Sequence, residues 1–125
     1  MRCNYVFGRI NKTHRDIANF YNQNLTDKII KPLYNKKLYK PIFHQYVIRV
    51  KNRNKLVKYL KRNGIETGIH YPIPIHLQPA YKKNISLKNT ELFSSQILSL
   101  PIRHNLEKHE LKYIVEKINH FYNNY

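Results

Sequence analysis

His70, Tyr71 and His76 fall in one short stretch, residues 64–81, that also carries Pro72 and Pro74. An imidazole and a phenol can each donate a hydrogen bond, and the imidazole can also accept one or ligate a metal. The two prolines fix φ and withhold two amide donors, so the turn is rigid and loses little entropy when a ligand binds. From these residue types alone, His70 and Tyr71 are either a displayed binding pair or a pair that seals a sheet edge. His76, two residues beyond Pro74, is either a weaker member of the same site or a helix-start or surface histidine.

A metal centre is the rival for His70 and His76, with His44 as a third ligand. Zinc sites use tight clusters of Cys, His and carboxylate, and a spacing of six across two prolines without a nearby Asp or Cys matches no common pattern. Cys3 is the chain's one cysteine. It has no partner base in view and cannot form an internal disulfide, which leaves a reducing cytoplasm as the expected compartment. The N-terminus shows no apolar run followed by a small-residue cleavage site.

The 125 residues suit one domain with a real core, and no apolar run approaches the roughly 20 residues of a membrane span. Lys and Arg number 23 against 7 Asp and Glu, a net charge of +16. Such a balance suits phosphate-bearing partners. Here lysine far outnumbers arginine, Asn, Ile and Tyr are also abundant, and the cations are scattered through nearly every segment. That is the signature of AT-rich coding more than of a nucleic-acid face, where charge is concentrated.

The elements that must position the turn follow from periodicity. A helix is expected from Thr13, as N-cap, to about residue 25, with Asp16 as acidic capping partner and Ile17, Phe20, Tyr21 and Leu25 on one face. Residues 28–42 form a connector. Residues 43–50 read as a central strand, and Asn52 caps a helix to about Asn63 with Leu56, Tyr59 and Leu60 inward. Gly64 closes that helix.

Residues 65–69 then read as a second strand leading into the turn. Residues 77–81 suggest a short helical turn, and Thr90 caps a brief helix with Glu91 at its positive end. Residues 98–102 are a third strand stopped at Pro101. The last helix, about residues 107–122 and capped by Asn105, places Leu111, Ile114, Val115, Ile118 and Phe121 on one stripe. The order predicts an α+β fold with a three-stranded sheet and helices packed mainly on one face.

Several blocks together carry a family resemblance: HQYVIR at 44–49, Leu60, GIETGIHYPIPIH at 64–76, PAY at 79–81 and ILSLPI at 97–102. In this order and spacing they resemble the carboxy-terminal small domain of DegT/StrS-type sugar-nucleotide aminotransferases, over about residues 15–122. The resemblance implies pyridoxal-phosphate enzymes of the aspartate-aminotransferase fold (fold type I), which place an amino group on a keto-sugar linked to a nucleoside diphosphate. The YPIPIH form is closest to members acting on dTDP-linked keto-6-deoxyhexoses.

The resemblance further implies that His70 and Tyr71 face the substrate cleft, where they can donate to a diphosphate or a sugar hydroxyl, with His76 a third substrate-binding candidate. No catalytic or cofactor-binding residue is assigned. The family's Schiff-base lysine and phosphate-holding groups lie in a large amino-terminal domain, and no lysine here lies in that motif. Residues 1–27 are then expected to be the end of the interdomain helix and residues 28–125 the small domain, with the large domain absent. The chain reads as a split or truncated gene product, a remnant, or a separately encoded domain.

Such a chain is inactive alone and binds no pyridoxal phosphate covalently. In a complete enzyme its partners are a nucleotide sugar and glutamate, with a separate amino-terminal chain or a homodimer partner. Exposed apolar surface is expected where the large domain docks. The alternative function is a noncatalytic basic module for nucleotide or nucleic acid.

Overall fold

The computed structural model describes residues 2–34, 37–81 and 83–124, with backbone alone for residues 2–7. The side chains of Arg2, Cys3 and Tyr5 therefore lie outside the described residues. The order is α1 (Arg2–Asn24), β1 (Tyr46–Arg49), α2 (Arg53–Arg62), two 3-10 turns (Ile75–Leu77 and Pro79–Tyr81), α3 (Lys88–Gln96), β2 (Ile97–Leu100) and α4 (Lys108–Asn124). This is an α+β fold. No described helix is long and apolar enough to cross a membrane.

The clearest amphipathic pattern becomes the clearest packing. All five stripe residues of α4, Leu111, Ile114, Val115, Ile118 and Phe121, are buried. Each contributes about 1.5–3 kcal/mol relative to exposure. They meet Leu56 and Leu60 of α2 and the inward side of α1, where Ile17, Ala18 and Tyr21 are buried, with Leu25 just past its end. Tyr21 donates to the Pro101 carbonyl at 2.7 Å, and its ring lies 4.9 Å from that of Tyr46, whose hydroxyl donates to Asn22 Oδ1 at 2.6 Å. Burial raises both tyrosine pKa values, so these phenols act only as neutral donors.

β1 and β2 pair antiparallel, Tyr46 against Leu100 and Ile48 against Leu98. Successive side chains alternate faces, so these four line the core, while Val47, Arg49 and Ser99 belong to the opposite face. The third strand expected at residues 98–102 appears as β2, but the second, expected at residues 65–69, is not formed as such. Residues 65–69 contribute one bridge, Gly68 to Ser99 on the free side of β2, and Ile30 of the connector makes another to Arg49 on the free side of β1. The two-stranded sheet is thus flanked by single bridges.

Three helix starts also differ from expectation. Thr13 lies inside α1, where its hydroxyl back-bonds to the Arg9 carbonyl at 3.1 Å, and Asp16 pairs with Lys12 at 2.8 Å. Thr90 lies inside α3, and the N-cap position belongs to Leu87, whose N–H is taken by the Glu91 carboxylate. At α4 the Glu107 carbonyl accepts from Leu111, and the Glu107 N–H donates to Glu110 Oε2 at 2.8 Å, so Asn105 precedes the cap. In both latter cases a carboxylate one turn in satisfies the orphan donor. Asn52 does stand at the N-cap of α2, in the left-handed region with φ 56°, but it caps through its carbonyl and not its side chain.

Candidate functional site

The candidate turn hangs from a helix stop. At the end of α2 the Ile65 N–H donates to the Leu60 carbonyl at 2.9 Å and the Gly64 N–H to Lys61 at 3.1 Å. Gly64 sits at φ +73°, the conformation this Schellman closure needs. The chain then turns back with Ile65 buried and runs beside β2.

At Gly68 both backbone groups pair with Ser99, donating at 3.0 Å and accepting at 2.8 Å. His70, two residues on, belongs to the same face as Gly68, and its ring folds back over the place where a side chain at 68 would stand. A Cβ built there would fall onto the imidazole. From this position His70 Nδ1 lies 3.1 Å from Ser99 Oγ. Nε2 has no hydrogen-bond partner among the described residues.

Tyr71 is 73% exposed, with its ring edge-on to His70 at 6.0 Å, and the peptide bond between the two is cis. The structure thus brings His70 and Tyr71 together on one surface. His76 goes elsewhere. It is 6% exposed, beneath the first 3-10 turn, and its Nε2 lies 3.0 Å from Glu91 Oε1. That carboxylate is held below the usual range, first by the Leu87 N–H and then by His76. His76 therefore fastens the turn to α3: it stands at the start of the first 3-10 turn, as the helix-start reading has it, but it is buried and not a surface histidine.

Around the turn the surface is apolar. Tyr71, Ile73, Ile75, Leu77 and Tyr81 are all exposed, as are Leu92 and Phe93 of α3. An open apolar groove of about 420 Å³ runs between Ile75, Tyr81, Ile85 and Leu87. A larger groove of about 850 Å³ lies between Glu66 and the start of α4 and includes neither His70 nor Tyr71. Arg49 of β1 is partly buried and has no ion pair among the described residues. Its guanidinium lies 3.8 Å over the Phe93 ring and donates to Gln96 Oε1 at 3.2 Å.

His44 is exposed ahead of β1, and among the described residues no three of His, Cys, Asp and Glu gather as a metal site would require. Sequence reasoning missed Gly68 and Ser99, although a lone serine inside an apolar strand is a visible signal. It also read Glu91 only as a dipole partner.

The model of the DegT/DnrJ/EryC1/StrS aminotransferase family matches residues 6–119. The chain belongs to that family. A dTDP-3-amino-3,6-dideoxy-alpha-D-galactopyranose transaminase from Aneurinibacillus thermoaerophilus is 33% identical over 115 residues, 89% of this chain and 31% of the relative. A protein named pleiotropic regulatory protein from Geobacillus stearothermophilus is 40% identical over 88 residues, 67% of this chain and 24% of its own length. The crystal structure of S. venezuelae DesV in complex with a ketimine intermediate superposes with a TM-score of 0.83 at 30% identity, covering 90% of this chain and 32% of that one. The chain thus spans about a third or less of the relatives it matches.

Enzymes of the DegT/DnrJ/EryC1/StrS family use pyridoxal phosphate, held by a lysine. Among the described residues the only buried polar or charged side chains are His76 and Ser99. No described lysine is buried, and a Schiff-base lysine needs a desolvated site. The described residues do not fit an attachment site for the cofactor.

Proposed function

We propose that this chain acts as the carboxy-terminal small domain of a sugar-nucleotide aminotransferase, contacting a nucleoside-diphosphate keto-6-deoxyhexose and contributing no catalytic lysine. Residues 1–27 join it to a large domain and residues 28–125 form the substrate-facing unit. The carrying observation is His70, braced on Ser99 beside exposed Tyr71, its Nε2 without a hydrogen-bond partner among the described residues, in a chain matched to the family over residues 6–119. An imidazole and a phenol so held suit the oxygens of a diphosphate or a sugar hydroxyl. His76 enters the same reading by fixing the turn's height on α3.

The apolar surface around the turn has one occupant in this reading, the cofactor-bearing domain that makes up the remaining family length. Ile73 and Ile75, exposed, follow the displayed pair in the same turn, so docking there would close a cleft over them. Two copies of a chain with net charge +16 repel one another, which disfavours a self-association through this face.

The test supplies the missing part. The amino-terminal two-thirds of a relative is co-expressed with this chain, and amino transfer from glutamate to a dTDP-linked keto-sugar is measured. Activity is expected only with both parts present. His70→Ala should then lose about tenfold or more in kcat/KM, the worth of one hydrogen bond to a charged group, against little change for His104→Ala. Equal effects of the two substitutions would overturn the binding role.

A further inference from the structure

We infer that Ser99 is a positioning residue that sets the tautomer of His70, so that the neutral ring accepts at Nδ1 and offers Nε2–H outward. Ser99 is 7% exposed, and its backbone N–H and carbonyl are both taken by Gly68. Its hydroxyl has one partner among the described residues, His70 Nδ1 at 3.1 Å. Two proton arrangements fit that distance. If Nδ1–H donates to Oγ, the serine hydroxyl proton is left buried without an acceptor, which is costly. If the hydroxyl donates to Nδ1, both groups are satisfied and the ring proton must sit on Nε2.

The backbone leaves the ring little freedom to escape this choice. The bridge between Gly68 and Ser99 sets the two residues opposite one another, with their side-chain positions on one face. His70 is two residues further along and shares that face. Because Gly68 has no side chain, the imidazole lies back across it and reaches Ser99. Glycine and serine together thus aim one N–H donor away from the sheet. An N–H donor selects an oxygen acceptor, such as a phosphate, carboxylate or hydroxyl oxygen, and disfavours an amine or a metal ion.

The consequence for substrate rests on the reading of His70 as a substrate contact, but the tautomer does not. Long-range proton–nitrogen correlation spectra of the ¹⁵N-labelled 125-residue chain, taken at about pH 9 where imidazoles are neutral, report the tautomer directly. His70→Ala identifies the signal. The Nε2–H form is expected to dominate in the native chain, the Nδ1–H form to grow in Ser99→Ala, and Ser99→Thr to restore the native pattern.

Gly68→Ala, which pushes the ring off Ser99, should shift the populations in the same direction as Ser99→Ala. It decides the matter should Ser99→Ala fail to fold. A dominant Nδ1–H form in the native chain overturns the inference, as does an unchanged tautomer in folded Ser99→Ala. Neither result bears on whether His70 touches a substrate, which the reconstituted enzyme tests separately.

Discussion

Glu91 Oε1 lies 3.0 Å from His76 Nε2 and 2.8 Å from the Leu87 backbone nitrogen, so one carboxylate oxygen joins the displayed turn to the first turn of α3. This linkage gives acid sensitivity a definite sign. The folded-state pKa of Glu91 is lowered from 4.5, so its contribution is complete above 4.5 and is lost as pH falls from there through the lowered value. Chemical denaturation across that range should show the native chain losing more stability than Glu91→Gln. Parallel pH dependences would remove Glu91 from the acid limb.

Gly64 isolates a backbone effect. Its φ is +73°, and a Cβ there would meet nothing within 4 Å. Gly64→Ala should therefore cost about 1–2 kcal/mol by conformation alone, with the cooperativity of unfolding unchanged. Urea unfolding measures it. A neutral result would mean that α2 can end without the left-handed residue.

The chain should form no borohydride-reducible adduct with pyridoxal phosphate at one defined lysine. Exposed amines react weakly and without selectivity, whereas a Schiff-base lysine needs a desolvated site. Mass spectrometry of reduced, digested protein reads the outcome. A single stoichiometric site would show that a lysine of this chain holds the cofactor.

Much of the scaffold was legible because it depends on local pattern. The stripe from Leu111 to Phe121, the inward leucines of α2 and the stop at Gly64 all need only a helix period and a residue able to turn left-handed. The caps were harder to read. Thr13, Thr90 and Asn105 have side chains able to cap, yet a threonine can equally bond back within a helix, and carboxylates from Glu91 and Glu110 reached the orphan donors instead. The second expected strand failed for a different reason. Residues 65–69 have strand-like composition, but pairing needs a neighbour in register, and only Gly68 finds one.

His70, Tyr71 and the two prolines were recognisable from spacing, since a rigid turn with polar groups is written in consecutive residues. The sequence by itself therefore determined that something is displayed here, which helices carry it and which family's motifs it shares. Only the tertiary structure decided how the displayed groups divide: His70 on Ser99 across 29 positions, and His76 under the turn against Glu91 across 15. Hydrogen-bond direction and burial depend on atoms brought together by the fold, and no local period encodes which of two histidines will be covered.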